Sequence, residues 1–235
     1  MEKTLIYEGK AKKIFKISGN EKEYLQEFKD DATAFNGVKK DQIKNKGKVN
    51  NQITSVIFDL LNNSGIKTHF IKKVSENSMI VSIVDIIKVE VVCRNIAAGS
   101  LVKKFAFKEG ETLKNPLVEF YYKSDELGDP LFSEDHILLL ELATSDEMKH
   151  IRNETLKINE ILKTFFLSKG LKLVDFKLEF GRDLNGEIIL ADEISPDTCR
   201  LWDKVSNKKM DKDRFRFDLG EVEESYDEVM RRVTN

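Results

Sequence analysis

Val174-Asp175-Phe176-Lys177-Leu178-Glu179-Phe180, followed after a turn by Ala191-Asp192-Glu193, is the stretch from which the architecture can be read. Val174, Phe176, Leu178 and Phe180 alternate with Asp175, Lys177 and Glu179, the period of a strand with one buried and one charged face. Three charges therefore project together. Asn185-Gly186 is a favourable hairpin turn, and a turn of two or four residues puts Glu179 opposite Asp192. Directly opposed Cβ atoms sit roughly 4.5 to 5.5 Å apart, where like charges repel. A hard divalent cation offsets that repulsion, because Mg2+ takes carboxylate oxygens and keeps water and phosphate oxygens in its other positions. A solvated face of mixed charge is the competing reading. Ser195-Pro196-Asp197-Thr198-Cys199-Arg200 adds a hydroxyl, an acid and a guanidinium in the loop leaving the second strand.

Outward from this hairpin, the apolar spacing predicts two short strands at 4–7 and 14–17 with a basic turn between them. Val49, Ile53, Val56, Ile57, Leu60 and Leu61 recur at helical spacing, and Asn62-Asn63-Ser64-Gly65 supplies a stop. Strands are expected at 69–71, 79–84 and 89–93, which makes the first third β-rich. Thr144 and Glu147 have capping-box spacing before an apolar stripe of Met148, Ile151, Ile158, Leu162 and Phe165, with Gly170 as terminator. This long helix should pack on the sheet that holds the acidic hairpin, and a last helix at about 222–233 closes the chain. There is no repeat or flexible linker, so a boundary between 1–85 and 86–235 would be a hinge within one molecule.

The chain has 235 residues, 40% of them hydrophobic, enough for a sizeable core. Its 39 basic and 41 acidic residues leave a net charge of -2, which argues against a sequence-independent grip on nucleic acid or on an anionic membrane. The first residues are charged and lack the apolar core of a signal peptide, and no apolar run approaches the ~18 residues of a membrane span, so a cytoplasmic location is expected. Cys93 and Cys199 are isolated, and with only His69, His136 and His150 beside them neither zinc nor a structural disulfide is expected.

Several other segments carry two readings each. Gly9-Lys10-Ala11-Lys12-Lys13 lacks the spacing of a Walker loop. It is either a solvated turn protecting a sheet edge or a flap whose glycine and lysines cover phosphates. Arg94-Asn95-Ile96-Ala97-Ala98-Gly99-Ser100 leaves a strand and starts a helix at Ser100, either as an anion site or as a plain cap. Residues 122–130 form a turn-rich segment that presents Lys123, Asp125 and Asp129 to a ligand or to solvent. Lys39, Lys40, Lys44, Lys46 and Lys48 read as a solvated loop, with a phosphate contact as the lesser alternative. His136 is expected in a loop, and no histidine is assigned to catalysis.

In order along the chain, Tyr7-Glu8-Gly9-Lys10-Ala11-Lys12, the segment from Cys93 through Ser100, Leu127-Gly128-Asp129-Pro130, Val174-Asp175-Phe176-Lys177-Leu178-Glu179-Phe180-Gly181 and the segment from Ala191 through Trp202 closely resemble the SAICAR synthetase family. The likeness spans residues 7–232. It implies an α+β fold of two lobes with antiparallel sheets and an ATP cleft between them, kinase- or ATP-grasp-like. The implied reaction joins L-aspartate to carboxyaminoimidazole ribonucleotide in purine biosynthesis, converting ATP to ADP and phosphate with Mg2+ as metal.

By position in the family pattern, Gly9, Lys10, Ala11 and Lys12 become the nucleotide flap, and the adenine edge meets residues 84–88, including Lys88. Glu179 and Asp192 become metal ligands. Arg94, Ser100, Ser195, Arg200 and Arg216 bind the ribonucleotide together with Lys177, while Lys177, Asp175, Lys123 and Asp129 serve as catalytic candidates near the reacting groups. A homo-oligomer with no nucleic-acid or membrane partner is expected. The rival enzyme is a small-molecule kinase that stops after phosphoryl transfer, and the non-enzymatic rival is an RNA-binding module using the lysine-rich loops.

Overall fold

The computed structural model describes residues 2–34 and 38–235. β1 (Lys3–Glu8) and β2 (Lys12–Ile17) form the expected hairpin, whose turn is closed by the Gly9 N–H donating to the Lys12 carbonyl at 2.8 Å. β3 (Glu23–Phe28) extends that hairpin, whereas β4 (Asp31–Ala34) and β5 (Lys39–Gln42) pair as a separate ribbon. Lys39 and Lys40, expected in a solvated loop, thus lie on a strand, because β4 provides a ladder partner that a run of charged residues does not signal by itself. α1 (Lys46–Asn63) follows with the predicted apolar stripe buried. Lys46, also expected to be solvated, is only 1% exposed. At Gly47 a Cβ would lie 2.7 Å from the Phe28 carbonyl oxygen, so glycine permits the start of α1 to dock against the end of β3. β6 (Phe70–Lys73) and β7 (Ser78–Ser82) complete a five-stranded antiparallel sheet in the order β1-β2-β3-β7-β6.

The second sheet starts with β8 (Asp85–Ile96) and continues, after the short α2 (Ser100–Lys104), with β9 (Thr112–Tyr122) and β10 (Leu131–Phe132). α3 (Glu134–Leu139) holds His136, which was expected in a loop. Ser133 and His136 form a reciprocal capping box that nucleates this helix. α4 (Ser145–Ser168) has the predicted Thr144–Glu147 capping box and stops at Gly170, whose φ is 72°.

β11 (Leu171–Arg182) is the spine of this sheet. One edge pairs with β8, while the other pairs first with β13 (Cys199–Asp203) and then with β12 (Ile188–Ala191). Residues 192–198 leave the sheet between those two partners. α5 (Asp213–Arg216) and α6 (Val222–Thr234) end the chain.

Two details of β11 depart from its alternating pattern. Arg182 pairs with Ile188, so the turn holds an odd number of residues and Glu179 faces Ala191, not Asp192. Asp192 lies just beyond the ladder with φ 62°. A bulge between Leu173 and Asp175 also removes Val174 from the face of Phe176, and it packs instead with Ala98 and Trp202.

The main core runs through both sheets and joins Ile53, Ile57 and Phe58 of α1, Ile158 and Leu162 of α4, Phe176 and Leu178 of β11, and Val229 of α6. Leu162 is fully buried and Leu167 is 49% exposed. Leu162→Ala should therefore cost about 2–5 kcal/mol in urea unfolding, against a change within about 0.5 kcal/mol for Leu167→Ala. Equal effects would mean that the α4 stripe does not anchor the core.

Candidate active site

The β1–β2 turn, the β4–β5 ribbon, the charged face of β8 and β11, and residues 192–200 enclose a cleft of ≈ 1150 Å³. Its floor follows from strand register. Asp175 faces Arg94, an attractive pair, whereas Glu179 faces Glu90. The second juxtaposition puts two carboxylates side by side, which is unfavourable without a cation between them. Lys177 is that cation: its Nζ lies 2.9 Å from Glu90 Oε1 and 3.1 Å from Glu179 Oε1. Lys123 caps the other oxygen of Glu179. Above them Lys12 binds Asp192 and lies 3.3 Å from Glu193 Oε1. Burial alone would discharge Lys12 and Lys177, but Asp192 and Glu193 around the first and Glu179 and Asp192 around the second raise both ammonium pKa values instead. Asp192 is correspondingly held well below the usual carboxylate range, its burial outweighed by Lys12 and Lys177.

The direct opposition expected between Glu179 and Asp192 is absent, and both carboxylates are paired with lysines. Among the described residues no group of three or more His, Cys, Asp or Glu is arranged to hold a metal ion. Glu179 and Asp192 both line the cleft, and their oxygens suit a hard cation that draws its remaining ligands from phosphate and water.

The opposite end of the cleft is a chain of alternating charges. Arg94 is 3% exposed and commits all three nitrogens: Nε to Glu119 at 2.5 Å, Nη1 to Asp175 at 2.8 Å, and Nη2 to Ser100 Oγ at 2.8 Å and to the Tyr121 hydroxyl at 3.3 Å. Arg200 donates from Nη1 to both oxygens of Asp175 and from Nε to Asp213 at 2.8 Å. Asp213 also accepts from Arg216 Nη1 at 2.6 Å. Gly99, at φ 57°, presses on the guanidinium of Arg200, where a Cβ would sit 2.5 Å from Nη2. Only glycine fits there.

Of the residues singled out by sequence, Gly9, Lys10, Ala11, Lys12, Arg94, Lys123, Asp129, Asp175, Lys177, Glu179, Asp192, Arg200 and Arg216 line the cleft. Lys10 reaches across it to Asp125 at 2.5 Å. Three others do not line it. Lys88 is exposed on β8, Ser100 supports Arg94, and Ser195 is buried and donates to Glu193 at 2.7 Å. Asp129, with φ 49°, shapes its own loop by accepting the Ser124 N–H at 3.0 Å.

Glu90, Glu119, Lys212 and Asp213 were not singled out by sequence, and no role was given to Glu193 of the acidic hairpin or to Lys46. Glu90 was visible only as a strand residue, Glu119 lies on β9, a strand not identified from the sequence, and Lys212 and Asp213 sat among like neighbours.

Asp211, behind Asp213, is fully buried. Burial, then the Asp213 charge, push its carboxyl up to about 7 against the backbone N–H groups of Leu201 and Asp213 that it accepts. With the folded pKa above the unfolded one, the stability Asp211 contributes is full below about pH 4 and is lost as pH rises through about 7. Wild-type stability between about pH 5 and 8 should therefore fall more steeply than that of Asp211→Asn, compared by the slopes of their urea-unfolding profiles. Parallel profiles would mean that Asp211 is ionised throughout.

The chain was also compared with known proteins. The family described as SAICAR synthetase matches residues 5–233. The phosphoribosylaminoimidazole-succinocarboxamide synthase of Pelodictyon phaeoclathratiforme is 58% identical over 230 residues, 98% of this chain and 97% of that one. The enzyme of the same name from Clostridium novyi is 54% identical, covering 100% and 99%. Among solved structures, that of the Ehrlichia chaffeensis synthase has a TM-score of 0.96 at 50% identity over 98% of each chain. A SAICAR synthetase in complex with ADP has a TM-score of 0.94 at 51% identity over 97% of each.

Proposed function

We infer the chemistry of this cleft from one premise: the chain belongs to the SAICAR synthetase family. It is an ATP-dependent ligase of purine biosynthesis that joins L-aspartate to carboxyaminoimidazole ribonucleotide, giving SAICAR, ADP and phosphate. The observation that carries this reading is the long, end-to-end match to the synthases, combined with a cleft that sets a lysine-and-carboxylate end beside an arginine-rich one.

A carboxylate is a poor acyl donor, so the reaction needs activation before an amine can attack. Transfer of the γ-phosphoryl group to the imidazole carboxylate gives an acyl phosphate. The aspartate amine then forms the amide bond and phosphate leaves with the bonding electrons of the acyl C–O bond. The chain's contribution is positioning and charge, which dominate phosphoryl transfer.

We assign residues 1–85 to a nucleotide-covering lobe and 86–235 to a substrate and metal lobe. Gly9, Lys10, Ala11 and Lys12 lie over the phosphates, and the adenine edge meets residues 84–88. None of residues 84–88 lines the cleft, Lys88 included, and the Lys88 carbonyl accepts the Lys123 N–H at 3.2 Å, so this assignment rests on the family pattern alone. Arg200 and Arg216, which line the other end, meet the anionic groups of the ribonucleotide. Arg94, with its nitrogens already committed, acts with Ser100 by fixing Asp175, and Ser195 acts through Glu193. Lys177 and Lys123, at the centre, stand where charge develops on the transferring group. Asp175 and Asp129 hold the loops and guanidiniums around it.

Glu179 and Asp192 are the carboxylates we assign to Mg2+, which when bound neutralises the transferring phosphoryl group. Their lysine partners explain why the two belong together. When phosphate oxygens arrive, Lys12 and Lys123 have new anions to bind, and the carboxylates they release become available to the metal.

The test is product analysis with purified protein, ATP, Mg2+ and the ribonucleotide, with and without L-aspartate. Aspartate-dependent succinocarboxamide is expected, and Glu179→Gln and Asp192→Asn should each weaken Mg2+ activation about tenfold or more, since even groups that merely support a metal ligand are worth that much. ADP release without the adduct would make the protein a kinase, and unchanged metal dependence in both variants would remove the metal assignment.

A further inference from the structure

Asp197 lies at the centre of a buried cluster to which no role has been given above. Its Oδ2 accepts from Lys46 Nζ at 2.9 Å and from Lys212 Nζ at 3.3 Å, and its Oδ1 accepts from the Tyr226 hydroxyl at 2.6 Å. The three partners come from α1, the residue before α5, and α6. The Lys46 side chain has no exposure at all, Asp197 has 4% and Lys212 has 12%. Asp197 and Lys212 line the cleft beside Arg216, whereas Lys46 does not.

We propose that Lys212 is an anion-binding residue for the ribonucleotide or aspartate end of the reaction, and that Lys46 is a positioning residue that keeps it available. The inference rests on the ligase reading for the identity of the anion. Its physical basis is a charge imbalance. One carboxylate faces two ammonium groups, and the closer of them, Lys46, is sealed from solvent and from any ligand. A buried charge must be paired, so Lys46 and Tyr226 take the strong contacts of Asp197 and leave Lys212 with a single long one. An ammonium has three donors. Lys212 therefore retains donors and under-compensated charge in a wall that also holds Arg216. Its pKa is lowered, by burial first and then by the charges of Lys46 and Arg216 against Asp197, the condition an incoming oxyanion would relieve.

The phosphate of the ribonucleotide and the carboxylates of L-aspartate offer the same oxyanion chemistry, and separate titrations distinguish them. With ADP saturating the flap, calorimetric titrations of carboxyaminoimidazole ribonucleotide, L-aspartate and inorganic phosphate into Lys212→Met should show one of the two substrates, together with phosphate, bound about tenfold or more weakly than in wild type. Lys212→Arg should recover most of the loss, and ADP affinity should stay within about twofold. Lys46→Met should weaken the same ligand about threefold or more, because Asp197 then holds Lys212 alone. Should that variant fail to fold, Tyr226→Phe, which removes a competing donor from Asp197, should act in the same direction. Unchanged binding of all three anions in Lys212→Met, or an equal loss of ADP, overturns the role of Lys212. Unchanged or tighter binding in both Lys46→Met and Tyr226→Phe overturns the role of Lys46. If wild type binds phosphate but neither substrate, the ligase reading fails while the phosphate titration still decides for or against Lys212.

Discussion

The rest of this structure depends on the interleaving of Lys12, Lys123 and Lys177 with Glu90, Glu179, Asp192 and Glu193. Glu179 and Glu193 are each 3% exposed, and charges so far from water are tolerated only when paired. The pairing also bridges the two sheets at the cleft, beside the core that they share. Lys12 belongs to the first sheet and its carboxylates to the end of β12, so this contact closes the cleft across the two layers. A cleft built in this way has every one of these carboxylates paired with a lysine, with one carboxylate in excess. An anion or cation entering it meets opposite charges already in place, so its own desolvation is offset by partners that need not be brought in.

The fold produces this arrangement through β11. Because its outer edge is shared by two strands with residues 192–198 leaving between them, the sheet has a break beside Lys177, whose N–H donates to the Thr198 carbonyl at 2.8 Å. Asp192 turns out of the ladder there with φ 62°, a conformation that Asp tolerates better than most residues. His69 stands close to this bend, and its burial and the Lys12 charge hold its pKa down to about 4. It is neutral at physiological pH and so adds no charge to the balance.

Much of this was legible in the sequence where one period dominates. The capping box of Thr144 and Glu147, the α1 stripe and the alternation in β11 each state a local preference that tertiary packing follows. The pairing of Glu179 was misread by one residue, because register depends on turn length and Asn185-Gly186 sits in an odd-numbered turn, not a tight one. Lys46 was indistinguishable from its neighbours Lys44 and Lys48, since only the fold reveals that it pairs with Asp197, which Tyr226 also holds. Glu90 was invisible as a site residue for the same reason: its importance comes from a strand partner distant in sequence. Periodicity reports what a segment buries, and says little about which charges meet across the cleft.

The central claim is that the lysines compete with a divalent cation for the same carboxylates, and Mn2+ binding to nucleotide-free protein, followed by electron paramagnetic resonance, tests it most directly. Lys12→Met exposes the Asp192 carboxylate and should bind Mn2+ at least about tenfold more tightly than wild type, the scale of one lost charge-assisted pair. Equal or weaker Mn2+ binding by Lys12→Met would contradict the account.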